Sequence, residues 1–343
     1  MRHVVAIGML LGLVLVAPLG GPSTYAVVTP ADAYEIGPRL RVPPDRQQEM
    51  GRMAFTAVYA QPATWPEVAR ARVFGDAEIE PIVQVQPPGV TQQQVNDTNR
   101  RLIDESKPVA AVVGLQAAGF DARIVGHGAR VESVLPDTPA EGNLQDGDVI
   151  TAVDDQPVGT TSDLIDAVRR HSVGETLALS YLRDGQPNSK LLATAASPSN
   201  PNQPLIGVTI STEGFDVQLP FPVDIDSGDV GGSSAGLMFA LGVLDSVTPG
   251  DLTRGHYIAG TGTIAPDGTV GPVSGAAEKV VAATRAGADV FLVPRANYAE
   301  AQTWPTSMTI VPVDQFQDAV GYLCQLAPAA GASPTPPAPC PGS

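Results

Sequence analysis

The chain has 343 residues, 43% of them hydrophobic, enough for real cores and for two or three domains. Acidic residues number 36 against 20 basic, a formal charge of −16, which argues against binding nucleic acid or an anionic membrane surface. Only Lys107, Lys190 and Lys279 are lysines, so any chemistry that needs an amine has three choices.

Met1-Arg2-His3 precedes an apolar run from Val4 to about Leu19, the pattern of an export signal or a signal-anchor over residues 1–26. Thr24-Tyr25-Ala26 is a weak cleavage site, so a retained anchor is preferred to a cleaved peptide. Either way, the bulk of the chain is expected outside the cytoplasm, on the membrane or secreted. Residues 27–108 mix short apolar runs with Pro and Gly and predict a small β-rich region, followed by a polar helix from Thr91 that Pro108 interrupts.

From 109 to 197 the pattern predicts a helix to Ala118 and then short strands around one further helix. Arg130–Leu135 alternates as a half-buried strand, and Thr161–His171 sets Leu164, Ile165 and Val168 on one face. Ser197–Pro204 is polar and proline-rich, a predicted linker at 198–204. From 205 to 325 strand and helix alternate, which predicts an α/β (α+β) domain, and 326–343 is a Pro/Ala-rich tail expected to be disordered. Cys324 and Cys340 either pair or stay free, and no cysteine has a metal-ligand partner at zinc spacing, so no metal or cofactor is expected.

Within the last domain Asp229-Val-Gly-Gly-Ser-Ser-Ala-Gly opens into an apolar helix, with Ser234 at the junction. A helix start offers free N–H groups and partial positive charge, which suits a nucleophile and its oxyanion, although a plain N-cap serine fits the same residues. Gly232–Gly236 satisfies the G-x-S-x-G pattern, but the only later histidine, His256, follows too closely for an α/β-hydrolase triad. His127 and His171 fall in the preceding domain, which leaves a Ser–Lys pair with Lys279, flanked by Val280, Val281 and Ala282.

Two resemblances sharpen this reading. Val134-Leu-Pro-Asp-Thr-Pro-Ala through Gly147-Asp-Val-Ile resembles the signature of bacterial PDZ domains, which bind extended peptides along a strand. It implies Ala118, Gly119 and Phe120 as the carboxylate loop and Asp121–Val125 as the groove strand. Residues 205–325 resemble the Lon proteolytic domain in several blocks: Val230–Leu237, Thr261-Gly-Thr-Ile, Gly268–Ala283 and Ala286–Pro294. That resemblance implies Ser234 as nucleophile, Lys279 as base, Thr261 bonded to the dyad, and an oxyanion site at the N–H groups of Ser233 and Ser234.

Departures stand beside it. Ser233 replaces a common proline, Gly231 and Thr263 replace acids of the ATP-dependent enzymes, and no G-x-x-x-x-G-K-[ST] phosphate loop occurs in this sequence. The whole is similar to membrane-anchored PDZ–Lon-like proteases, which implies polypeptide substrates and, by resemblance, hexameric rings. A catalytically inactive PDZ scaffold and an enzyme that only processes itself are the alternatives.

Overall fold

A computed structural model describes residues 21–74, 77–198, 200–332 and 340; the apolar run at 4–19 lies outside them. Among the described residues no helix is long and apolar enough to cross a membrane. The chain divides into two compact units: residues 121–220 form one, and residues before and after them form the other.

The N-terminal elements are β1 (Pro22–Glu35), β2 (Met53–Thr64), α1 (Trp65–Phe74), β3 (Glu78–Pro81) and α2 (Gln92–Ala117). β1 pairs antiparallel with β2 on one side and β3 on the other. Helix α2 begins at a capping box, in which the Thr91 hydroxyl accepts from the Gln94 N–H and the Gln94 side chain returns the bond. It then runs unbroken through Pro108, against the expected interruption. Proline there removes one helical hydrogen bond, but burial of Ile103 and of Ala110–Leu115 holds both halves in one line.

The unit at 121–220 contains β4 (Arg123–Val125), β5 (Ala129–Val134), β6 (Val149–Val153), α3 (Thr161–Arg169), β7 (Thr176–Arg183), β8 (Gln186–Ala193), β9 (Ala195–Ser197), β10 (Asn200–Leu205), β11 (Val208–Thr212) and β12 (Asp216–Gln218). Its main sheet runs β8-β7-β6-β5-β11, with β11 at one edge. Leu164, Ala167 and Val168 of α3 close over Ile150, Val153, Leu177 and Leu179, so the helical and strand periodicities meet in one core. Residues 200–205 are not a linker: β10 folds back on β9, its prolines tolerated because the pair forms a separate two-stranded ribbon. β11, expected to open the following domain, instead completes this sheet by pairing with β5.

The chain then supplies α4 (Gly236–Val247), β13 (Ile258–Gly260), α5 (Ala276–Ala286), β14 (Val290–Pro294), β15 (Thr309–Val313) and α6 (Phe316–Gln325). These complete a six-stranded sheet of order β15-β14-β13-β2-β1-β3. β13 lies parallel to both β14 and β2, so the N-terminal strands are half of this fold and not a separate region. Every residue of α4 is buried. Phe55 of β2 meets Phe239 of α4 edge-to-face at 5.1 Å and stacks on Tyr34 at 5.3 Å.

Helix α2 crosses α4 at Gly114. A Cβ there would stand 2.5 Å from the Ala240 carbonyl oxygen and 2.8 Å from Val243 Cβ, so only glycine permits this approach. Cys324 and Cys340 are joined as a disulfide, and Cys340 is buried, so part of the tail is tied to α6.

Candidate active site

Ser234 lies in a 3-10 turn, Ser233–Ala235, directly ahead of α4. Two bonds hold its carbonyl: the Gly262 N–H donates at 2.7 Å and the Thr261 hydroxyl at 3.1 Å. The Leu237 N–H donates back to the Gly262 carbonyl at 3.0 Å, locking the turn against the 261–264 segment. On the other side the Gly232 N–H donates to the Asn99 carbonyl of α2 at 2.7 Å. Gly232 is thereby spent, and the N–H groups of Ser233 and Ser234 are left at the open start of the turn.

Thr261 is fully buried at the end of β13. Its oxygen keeps acceptor capacity after donating to Ser234. Lys279 is carried by α5, and only 2% of it is exposed. Burial pushes its ammonium down from 10.5 to about 8, and the charge of Glu300 opposes the shift. β2 packs against both the Ser234 turn and α5, which puts the two elements on one strand. Among the described residues no hydrogen bond joins Ser234 directly to Lys279.

A cleft of about 410 Å³ runs beside the turn, lined by Arg41, Arg100, Lys107, Asp224, Asp226 and Val230 among others. The larger cavity, about 760 Å³, is lined by Tyr34, Tyr59 and Arg285 and contains none of Ser234, Thr261 or Lys279. His256 is satisfied: its Nε2 meets the Ala327 carbonyl at 2.9 Å, and Asp289 lies 3.7 Å from Nδ1.

The expected carboxylate loop is corrected. Ala118, Gly119 and Phe120 cap α2: their N–H groups donate to the carbonyls of Gly114, Gln116 and Leu115. With its donors consumed, this segment cannot cradle a carboxylate. Phe120 also packs on Phe221 at 5.1 Å, in the unit that carries Ser234. The expected groove strand fails as well, because β4 pairs with β12 in a two-stranded ribbon.

The open edge beside a helix belongs to β11, which has β5 on one side and touches α3. The missed signal was Leu205-Ile-Gly-Val, an apolar pair and a glycine entering a strand. Gly207 has φ +88, and a Cβ there would stand 2.1 Å from the Thr138 side chain. We expect Gly207→Ala to destabilise this unit by about 1–3 kcal/mol. Urea unfolding followed by tyrosine fluorescence checks the change.

Comparison with known proteins finds two domain families along the chain. Residues 93–191 match the PDZ domain model, and residues 213–324 match the Lon protease (S16) C-terminal proteolytic domain. The peroxisomal Lon protease homolog 2 of Danio rerio is 31% identical over 154 residues, 44% of this chain and 18% of that protein. The serine protease Do-like HtrA of Lactococcus lactis is 37% identical over 70 residues, 20% of this chain and 17% of that protein. This chain thus spans under a fifth of either relative. Among solved structures, the PDZ domain of an SdrC-like protein from Listeria monocytogenes is 27% identical, covering 26% of this chain and 92% of that one, with a TM-score of 0.24. The two family matches show a PDZ domain combined in one polypeptide with a Lon-type proteolytic domain.

Proposed function

We propose that the protein is a serine endopeptidase that cleaves unfolded or tail-exposing polypeptides through Ser234 and Lys279, without ATP. The observation that carries this reading is Lys279: an amine 2% exposed, with its ammonium lowered to about 8, is a usable base near neutral pH. Lys279 Nζ takes the Ser234 hydroxyl proton as Oγ attacks the scissile carbonyl carbon. The carbonyl oxygen becomes an oxyanion facing the N–H groups of Ser233 and Ser234. The Lys279 ammonium returns the proton to the leaving amine, and an acyl-Ser234 ester remains. Water then attacks the ester, again with Lys279 as base, and frees the acid and Ser234. Thr261 positions the pair, holding the Ser234 carbonyl while its oxygen remains able to accept from Lys279.

Polypeptide recruitment by strand addition is assigned to the free edge of β11, in place of Asp121–Val125. A retained N-terminal anchor with the domains outside the cytoplasm fits β1: Ala26 is fully buried and paired with Pro62, so cleavage after it would remove the start of a sheet strand. Assembly into rings belongs to the same reading and is read out by mass photometry.

The test is incubation with an unstructured polypeptide. Wild type is expected to release fragments, and Ser234→Ala none. The rate should rise with pH and level off above about 8 as Lys279 loses its proton; a profile flat from neutral pH upward contradicts the base assignment. The inactive-scaffold reading is favoured instead if wild type and Ser234→Ala both leave the polypeptide whole.

A further inference from the structure

One cluster of side chains is left unused by this chemistry. Glu78 at the start of β3, Glu278 in the first turn of α5 and Glu300 in the short helix Tyr298–Ala301 each offer an oxygen within 4.8 Å of the others. Glu278 is only 8% exposed. Its Oε2, like Oε2 of Glu78, is buried without a hydrogen-bond partner. None of the three carboxylates is in an ion pair among the described residues. Buried carboxylate oxygens without donors are costly and need a cation or a proton.

Glu300 is already aimed. Its Oε1 accepts the N–H groups of Ala276 and Ala277 at the start of α5, and its Oε2 accepts Asn297 Nδ2 at 3.0 Å. Asn297 is itself fixed by donating to the Val273 carbonyl at 2.8 Å. Glu278 and Glu78 each bring an oxygen within 4.8 Å of this held carboxylate, from two other elements.

We propose that Glu78, Glu278 and Glu300 bind a divalent, oxygen-seeking cation, calcium foremost. The donor set is all carboxylate, without the histidine or cysteine that would favour zinc. Oxygens that share a calcium at about 2.4 Å stand at most about 4.8 Å apart, and these three lie within that limit. The bound ion would clasp β3, the N-terminus of α5 and the 298–301 turn, three pieces far apart in sequence.

Calcium chloride titrated into the purified full chain at pH 7.5 tests this by thermal melting and by calorimetry. We expect saturable binding and a rise in Tm of about 5–10 °C once calcium exceeds its Kd a hundredfold. Glu278→Gln and the half-buried Glu78→Gln should each abolish the rise while remaining folded by circular dichroism. The two variants guard against one failing to fold. An equal rise with sodium chloride at matched ionic strength overturns the site. So does a wild type indifferent to calcium whose variants are more stable than it is, the mark of carboxylates that share a proton.

Discussion

Replacing Lys279 by methionine is expected to abolish the proposed peptide-bond cleavage and to raise the melting temperature of the protein near neutral pH. The first effect follows from losing the proton acceptor, with an expected fall of at least about 100–10,000-fold in rate. The second follows from burial. An ammonium held at about 8 in the fold titrates at 10.5 when unfolded, so below pH 8 the charge costs the native state about 3 kcal/mol. Between those values the unfolded chain holds more protons, so wild-type stability climbs as pH rises. The advantage of the variant is therefore full below about pH 8 and closes near 10.5. Methionine matches the lysine stem without the charge, among Val280, Val281 and other buried neighbours. A variant that loses activity and stability together would make Lys279 a structural residue only. Peptide cleavage and melting curves across pH separate the outcomes.

Phe55→Ala is expected to destabilise the proteolytic unit by about 3–5 kcal/mol and to remove activity at physiological temperature. Phe55 is fully buried between Tyr34 and Phe239. It sits in β2 of the N-terminal segment, yet Phe239 belongs to the helix that Ser234 opens. β2 runs parallel to β13, and Phe55 is in register with Gly260, next to Thr261. For the same reason a fragment beginning at residue 205 should not fold, since it lacks three of the six sheet strands and helix α2. Chemical denaturation of Phe55→Ala, beside the circular dichroism of that fragment, tests whether the N-terminal strands belong to the protease fold.

Local signals were legible in the residues themselves. The glycine turn before Ser234, the apolar company of Lys279 and the helix beginning at Thr91 all act within a few residues, and each forms as expected. What escaped is non-local. Nothing in the alternation of Met53–Thr64 says that its parallel neighbour is Ile258–Gly260, two hundred residues on. Val208–Thr212 reads as a strand, but no local pattern tells which sheet it joins. Pro108 would break an isolated helix, and only packing against α4 keeps α2 whole. Ala118-Gly119-Phe120 looks like a loop and is one, but a loop whose N–H groups are spent on closing a helix.

The central claim is that Ser234 is a nucleophile activated by Lys279, and covalent trapping addresses it directly. Wild type treated with an electrophilic fluorophosphonate should gain one adduct by intact mass, mapped to Ser234. Labelling should vanish in Ser234→Ala and slow sharply in Lys279→Met. No adduct on a folded wild type, or an adduct that forms equally fast without Lys279, would contradict the account.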